Sequence, residues 1–329
     1  MKLSRLFVIS LGLSLGFASA DESDEFNFTG TVWASGVSET GGWYDANKIN
    51  NADGDADDNM CYAASAANLI AWWQNGEYGK NLTSVAPKEL DDIWQTYIAH
   101  NEDYDTGGDP GSALNWWISG TYSPEMAEEW ERYYAADGSA VPPPALSHTN
   151  GYYFDEYGLT KSDLGDFVYD VWSFGESDMT ASELSITLAD IFNEGGGISL
   201  AIFSDNVDNP LAHAITLWGV EYENGELVKL WLTDSDDSCI SDDFDITDDS
   251  TITLEPRLFG AAVSVVEDKD GNEKIYFEEQ DLYGKDVYIT AVFALDATAS
   301  ENWQMVPEPT TATLSLLALA ALAAHRRRK

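Results

Sequence analysis

The sequence predicts an α+β fold, with helices concentrated in the first part of the chain and an antiparallel sheet in the second. Three observations carry this. Segments of helical character precede Gly195, and segments of strand character follow it. Asn224-Gly225 stands between two alternating runs, the strongest short-range hairpin signal. At 329 residues, 44% hydrophobic and 12% aromatic, the chain can bury a substantial core and is not disordered. Helices followed by strands around one core suggest α+β rather than a doubly wound sheet.

Cys61 to Gln74 is an Ala-rich helix candidate, apolar nearly all round and therefore expected to be buried. Lys88 to His100 and Glu125 to Ala136 are further helix candidates, and Gly138 to Thr149, with Pro142-Pro143-Pro144, reads as a loop or linker. Thr180 to Asn193 reads as an amphipathic helix, capped by Ser182 or Thr180 and stopped by Gly195 to Gly197. The predicted strands are Ile198 to Phe203, His213 to Tyr222, Leu227 to Thr233 and Val287 to Leu295. No internal repeat of solenoid or propeller period is present.

Charge narrows the partners. The chain has 16 Lys+Arg against 58 Asp+Glu, a formal charge of −42. Six of the basic residues lie at the two ends, so residues 21–305 carry 10 basic and 57 acidic side chains, or −47. A nucleic-acid partner is excluded, because a phosphate backbone needs a positive footprint. Binding of the folded part to an anionic membrane surface is disfavoured for the same reason.

The ends read as addresses. Met1 to Ala20 has a basic start, an apolar run from Leu6 to Phe17 and an Ala18-Ser19-Ala20 cleavage site, the pattern of a secretory signal peptide. Residues 21–305 then form the folded domain, exported to a periplasm, cell surface or medium. At the C-terminus, residues 306–329 hold Pro307-Glu308-Pro309, an apolar stretch over 310–324 and a basic end, His325 to Lys329. A stretch of fifteen residues is short for a span, and an ordinary tail anchor is the plain alternative. In order, the three parts resemble a PEP-CTERM sorting signal. That resemblance implies a Gram-negative-type envelope, transient inner-membrane anchoring through 310–324 and an exosortase-type processing partner.

The residues able to carry chemistry are few: two cysteines and, outside the tail, His100, His148 and His213. With a two-residue turn at Asn224-Gly225, Glu223 faces Glu226 and paired residue numbers sum to 449. His213 then faces Asp236, with Asp234 diagonally across on the same sheet face, at Cβ separations of about 5 and 7 Å. A carboxylate at either distance can hold an imidazole in one tautomer and stabilise its protonated form. A satisfied histidine at a strand start is the bland alternative, and a bulge would shift the register. Cys61 stands at the expected N-terminus of the Ala-rich helix, where the helix dipole lowers a thiol pKa. Asp55, Asp57 and Asp58 oppose this, so a thiolate at Cys61 needs a cation, which protonated His213 would supply. The alternatives are a small buried hydrophobe or a Cys61–Cys239 disulfide in an exported protein.

Gly42-Trp43-Tyr44-Asp45 followed by Lys48, then Cys61 to Asn68 with Trp72-Trp73, is similar to the nucleophile region of the IdeS/Mac family of immunoglobulin-degrading cysteine endopeptidases. His213 to Gly219 and Thr233 to Asp236 resemble that family's histidine and aspartate segments. The resemblance spans about residues 32–305, poorly over 75–180. It implies a papain-like α+β fold, with a buried nucleophile helix packed against an antiparallel sheet. It also implies a protein substrate, with immunoglobulin one candidate, and no cofactor. By position Cys61 would be the nucleophile, His213 the general base and acid, Asp234 the orienting carboxylate and Asp236 a supporting one. Lys48 would help form the oxyanion hole, which suits a scarce cation, since a tetrahedral oxyanion wants a positive donor.

Other chemistry is weaker. Asp53 to Asp58 alternates acids without the glycine and glutamate of a calcium loop, and Asp268 to Asn272 reads as a hairpin turn. No His/Cys cluster has zinc spacing, so no metal is expected. The reading from another class is a non-catalytic cell-surface carbohydrate- or protein-binding module. Twelve tryptophans, with pairs at Trp72-Trp73 and Trp116-Trp117, could serve it as stacking platforms.

Overall fold

The hairpin expected at Asn224-Gly225 forms. Asn224 (φ 53°) and Gly225 (φ 86°) both take the left-handed conformation that a two-residue turn needs, joining β5 (Leu211–Glu223) to β6 (Glu226–Thr233). The computed structural model describes residues 27–48, 59–76, 86–100, 108–118, 151–157, 159–161, 168–173, 179–204, 211–236, 256–268, 271–278, 287–296 and 303–305. Near the site the ladder keeps the predicted register, with Thr216 opposite Thr233 and Leu217 opposite Leu232. Two irregularities, at Leu217/Gly219 and Glu221/Tyr222, shift the pairing by one residue and then shift it back.

Around this hairpin the sheet closes on itself. β4 (Gly196–Ser204) pairs β5 and β9 (Val287–Asp296). β8 (Glu273–Phe277) links β9 to β7 (Phe259–Glu267), and β7 returns to β6. The result is a closed, antiparallel, six-stranded β-barrel. β1 (Gly30–Trp33) adds to β5 and β3 (Val168–Ser173) to β9 outside the ring. A separate pair joins β2 (Leu159–Lys161) to β10 (Trp303–Met305).

The expected papain-like helix-plus-sheet fold is therefore overturned: among the described residues strand dominates, and the sheet is a barrel with few helices. Two physical causes are visible. The strands β7 and β8, around the Asp268–Asn272 turn, supply the staves that complete the ring. Bulges in the β5–β6 and β4–β9 ladders add local bend and twist, which lets a sheet coil shut.

The described helices are α1 (Cys61–Asn75), α2 (Leu90–His100), α3 (Pro110–Ile118), α4 (Tyr152–Tyr157) and α5 (Ala181–Asn193). Burial of α1 is as its composition predicts. Tyr62 to Gln74 are all buried, between α2 and α3 on one side and β4 and β5 on the other. Its small alanines let the neighbouring elements approach the helix closely. Thr180 caps α5 with a full capping box, its hydroxyl accepting from the Glu183 N–H while the Glu183 carboxylate accepts from the Thr180 N–H. Among the described residues no helix is long and apolar enough to cross a membrane. The expected signal peptide, the expected sorting tail over 306–329, the helix expected over 125–136, the loop expected over 138–149, the 53–58 acids and Cys239 all lie outside the described residues.

Candidate active site

Cys61 is the first residue of α1, whose opening N–H groups have no intrahelical partner. It is partly exposed and carries a free thiol. His213, near the start of β5, is hydrogen-bonded to that thiol, and the Ala214 N–H donates to the sulfur. On its other side the imidazole Nε2 meets Asp234 Oδ1 at 2.6 Å. Nδ1 lies 3.7 Å from Asp236 Oδ2. The diagonal carboxylate thus makes the short contact: the ladder ends at Thr233, and the buried Asp234 lies just beyond it, outside the pairing that would set Asp236 opposite His213. Asp234 is fully buried and also accepts the Asp236 N–H at 3.0 Å.

Lys48 is not a surface lysine. It is 4% exposed, and its Nζ bonds Asp236 Oδ1 at 2.8 Å. All five residues singled out from the sequence, Lys48, Cys61, His213, Asp234 and Asp236, come together.

The electrostatics follow from this packing. Burial pushes the Cys61 thiol up, but the charge and hydrogen bond of His213, then Lys48 and the Ala214 N–H, bring it below its ordinary value. Burial works against a charged His213. Asp234 first, and Cys61 after it, hold the imidazole well above its ordinary pKa nonetheless. The arrangement favours a thiolate–imidazolium pair, a nucleophile and a proton donor side by side.

A buried polar network that sequence reasoning missed holds Lys48 in place. Asn68, two turns along α1 from Cys61, accepts the Ala46 N–H at 2.7 Å. Its amide donates to Thr216 at 3.0 Å and to Thr233 at 3.4 Å. The Thr233 hydroxyl donates to the Tyr44 carbonyl at 2.9 Å and accepts from Trp218 Nε1 at 2.9 Å. Asp45 accepts the Arg257 N–H at 2.8 Å, and the Lys48 N–H donates to the Ser235 carbonyl at 2.9 Å. The signal was available: Cys61, Ser65 and Asn68 form one polar stripe, at i, i+4 and i+7, on an otherwise apolar helix.

His213, Asp234 and Asp236 each offer one ligand atom, all within 4.8 Å of one another, the kind of cluster that can hold a cation. A metal there would compete with the imidazole for Asp234 and with the Lys48 ammonium for Asp236. The tryptophan pairs offer no platform, since Trp72, Trp73, Trp116 and Trp117 are all buried in the core.

Residues 20–97 match the Mac-1 family (Mac 1). The chain is also 26% identical over 252 residues to the IgM protease of Streptococcus suis (strain P1/7). That alignment covers 68% of this chain and 19% of the relative, so the chain spans about a fifth of that protein's length. Both likenesses support the Mac family.

Proposed function

We propose that this chain is an exported cysteine endopeptidase that hydrolyses peptide bonds of a protein substrate. One observation carries the reading: a partly exposed thiol at a helix N-terminus, hydrogen-bonded to a histidine whose other nitrogen is held by a fully buried aspartate. The likeness of residues 20–97 to the Mac-1 family, and of the chain to a protein named IgM protease, supports it and makes immunoglobulin one candidate substrate.

In this reading the Cys61 thiolate attacks the scissile carbonyl carbon. A C–S bond forms, and the C=O π electrons move onto oxygen. The Lys48 ammonium and the Cys61 N–H stabilise that oxyanion. As the oxyanion collapses, the C–N bond breaks and His213 gives its proton to the leaving amine, leaving an acyl-enzyme. Water then attacks the thioester with His213 taking its proton, and the acid product leaves the restored thiolate–imidazolium pair. Asp234 orients the ring throughout, and Asp236 holds Lys48.

Residues 1–20 act as a signal peptide and 306–329 as a PEP-CTERM-type sorting signal for an exosortase-type enzyme. The test is incubation of purified protein with protein mixtures that include immunoglobulins. Cleavage should be present in the wild type and absent in Cys61→Ala and in thiol-alkylated protein. Cleavage that survives Cys61→Ala, or that a chelator abolishes, overturns the reading.

A further inference from the structure

On the outer face of the β5–β6 hairpin, β1 completes two cross-strand rows. Thr31, Glu221 and Lys229 stand side by side in one, and Trp33, Gly219 and Trp231 in the next. The centre of the aromatic row is bare. A Cβ at Gly219 would stand 2.6 Å from the Trp33 ring, so the indole lies over the sheet backbone. It meets Trp231 at a centroid distance of 5.3 Å with the rings tilted by 40°. Both indoles remain partly exposed. Ser38, Glu39 and Thr40, on the turn after β1, wall this floor into an open cleft of about 610 Å³. That volume falls within the range of small-ligand sites.

The polar groups around the floor select the ligand. Lys229 Nζ bonds Glu221 at 3.2 Å and lies 5.3 Å from the Trp231 ring centroid. The chain's own ammonium thus takes the position over the indole that a cationic ligand would occupy, and neutralises one carboxylate. An anionic ligand would face Glu39, Glu221 and a chain of formal charge −42. What remains suits a neutral polyol. The C–H face of a pyranose ring can lie on an indole while its hydroxyls donate to Glu39 and Glu221 and accept from Lys229, Thr31 and Thr40. We propose that this cleft is a binding site for a neutral saccharide, either free or carried on a glycoprotein. The inference does not rest on the peptidase reading, since no residue of the cleft belongs to the Cys61–His213 cluster.

Tryptophan fluorescence titration tests it with neutral trisaccharides of glucose, mannose and N-acetylglucosamine. A second arm immobilises a glycoprotein bearing neutral glycans, before and after enzymatic deglycosylation, and probes it with the Cys61→Ala protein so that the ligand stays intact. Saturable binding in either arm is expected, weakened about tenfold or more by Trp231→Ala. Two further variants guard against misfolding: exposed Glu39→Gln, and Gly219→Ala, which keeps both indoles but displaces Trp33. Each should weaken binding with circular dichroism unchanged. A response to free sugars alone, or to the glycoprotein alone, identifies the source. The proposal fails if no probe binds at up to about 10 mM. It also fails if all variants bind like the wild type, or if only basic peptides bind.

Discussion

The two ends of the β5–β6 hairpin put polar groups to opposite uses. At the end where β5 begins and β6 stops, His213, Asp234 and Lys48 are buried, and each charge is paired over 2.6–2.8 Å. Toward the turn, Glu221 and Lys229 pair over 3.2 Å beside two open indoles, with about a third of each side chain exposed. A charge pair in low dielectric shifts protonation states, whereas the same pair in water is screened and contributes little. The difference is one of burial: charge pairs at one end can set protonation states, whereas the pair at the other end belongs to a screened surface.

The largest effects should therefore come from the buried end. Asp234→Ala should lower kcat by about 10²–10⁴, because the imidazole loses both its orientation and its counter-charge. It should also move the alkaline limb of the pH–rate profile. On the proposed mechanism, with His213 raised above its ordinary 6.5 and Cys61 lowered below its ordinary 9.0, the pair should be active between those two perturbed values. Activity is lost on the acid side as the thiolate is protonated and on the alkaline side as the imidazolium loses its proton. Without Asp234 the imidazolium is less favoured, so the alkaline limb falls to lower pH. An unchanged limb in a pH-resolved kcat/KM series would break the comparison.

Lys48→Ala should cost about 10²–10³ in kcat with little change in KM, the sign of a group that acts on the transition state. Asn68→Ala should act more mildly on turnover and cost about 1–3 kcal/mol of stability in a denaturant titration, since it strands the buried Ala46 N–H and its hydroxyl partners. If Asn68 positions Lys48, its loss lowers kcat and leaves the acid limb in place. At the open end, Lys229→Ala should cost at most about 1 kcal/mol and leave turnover unchanged. A large stability loss there would show that the two ends are not so different.

The site was far more legible in the sequence than the fold. Asn224-Gly225 fixed the local register, and parity alone placed His213, Asp234 and Asp236 on one face. Local turn chemistry reaches that far. Which carboxylate makes the short contact depends on where the ladder ends, at Thr233, and parity is silent on that. Closure of the barrel was not legible, because it depends on pairings distant in sequence, such as β6 with β7 and the single Tyr276–Tyr288 bridge between β8 and β9. It also depends on bulges whose positions no motif announced. Asn68 went unread because an amide in an alanine-rich helix looks like one polar exception, until the segment 44–48 is seen packed against it. The tryptophans misled in the same way. The adjacent pairs attract notice in a sequence but fill the core, whereas Trp33 and Trp231, nearly two hundred residues apart, meet across Gly219.

The central claim is that Cys61 is held as a thiolate by His213. Its most direct test is the rate of iodoacetamide alkylation against pH, in a Cys239→Ser background so that one thiol reports. The account predicts a reactive thiolate below the ordinary thiol pKa of 9.0, with the midpoint moving up in His213→Ala. A midpoint at the ordinary value, unmoved by His213→Ala, would contradict it.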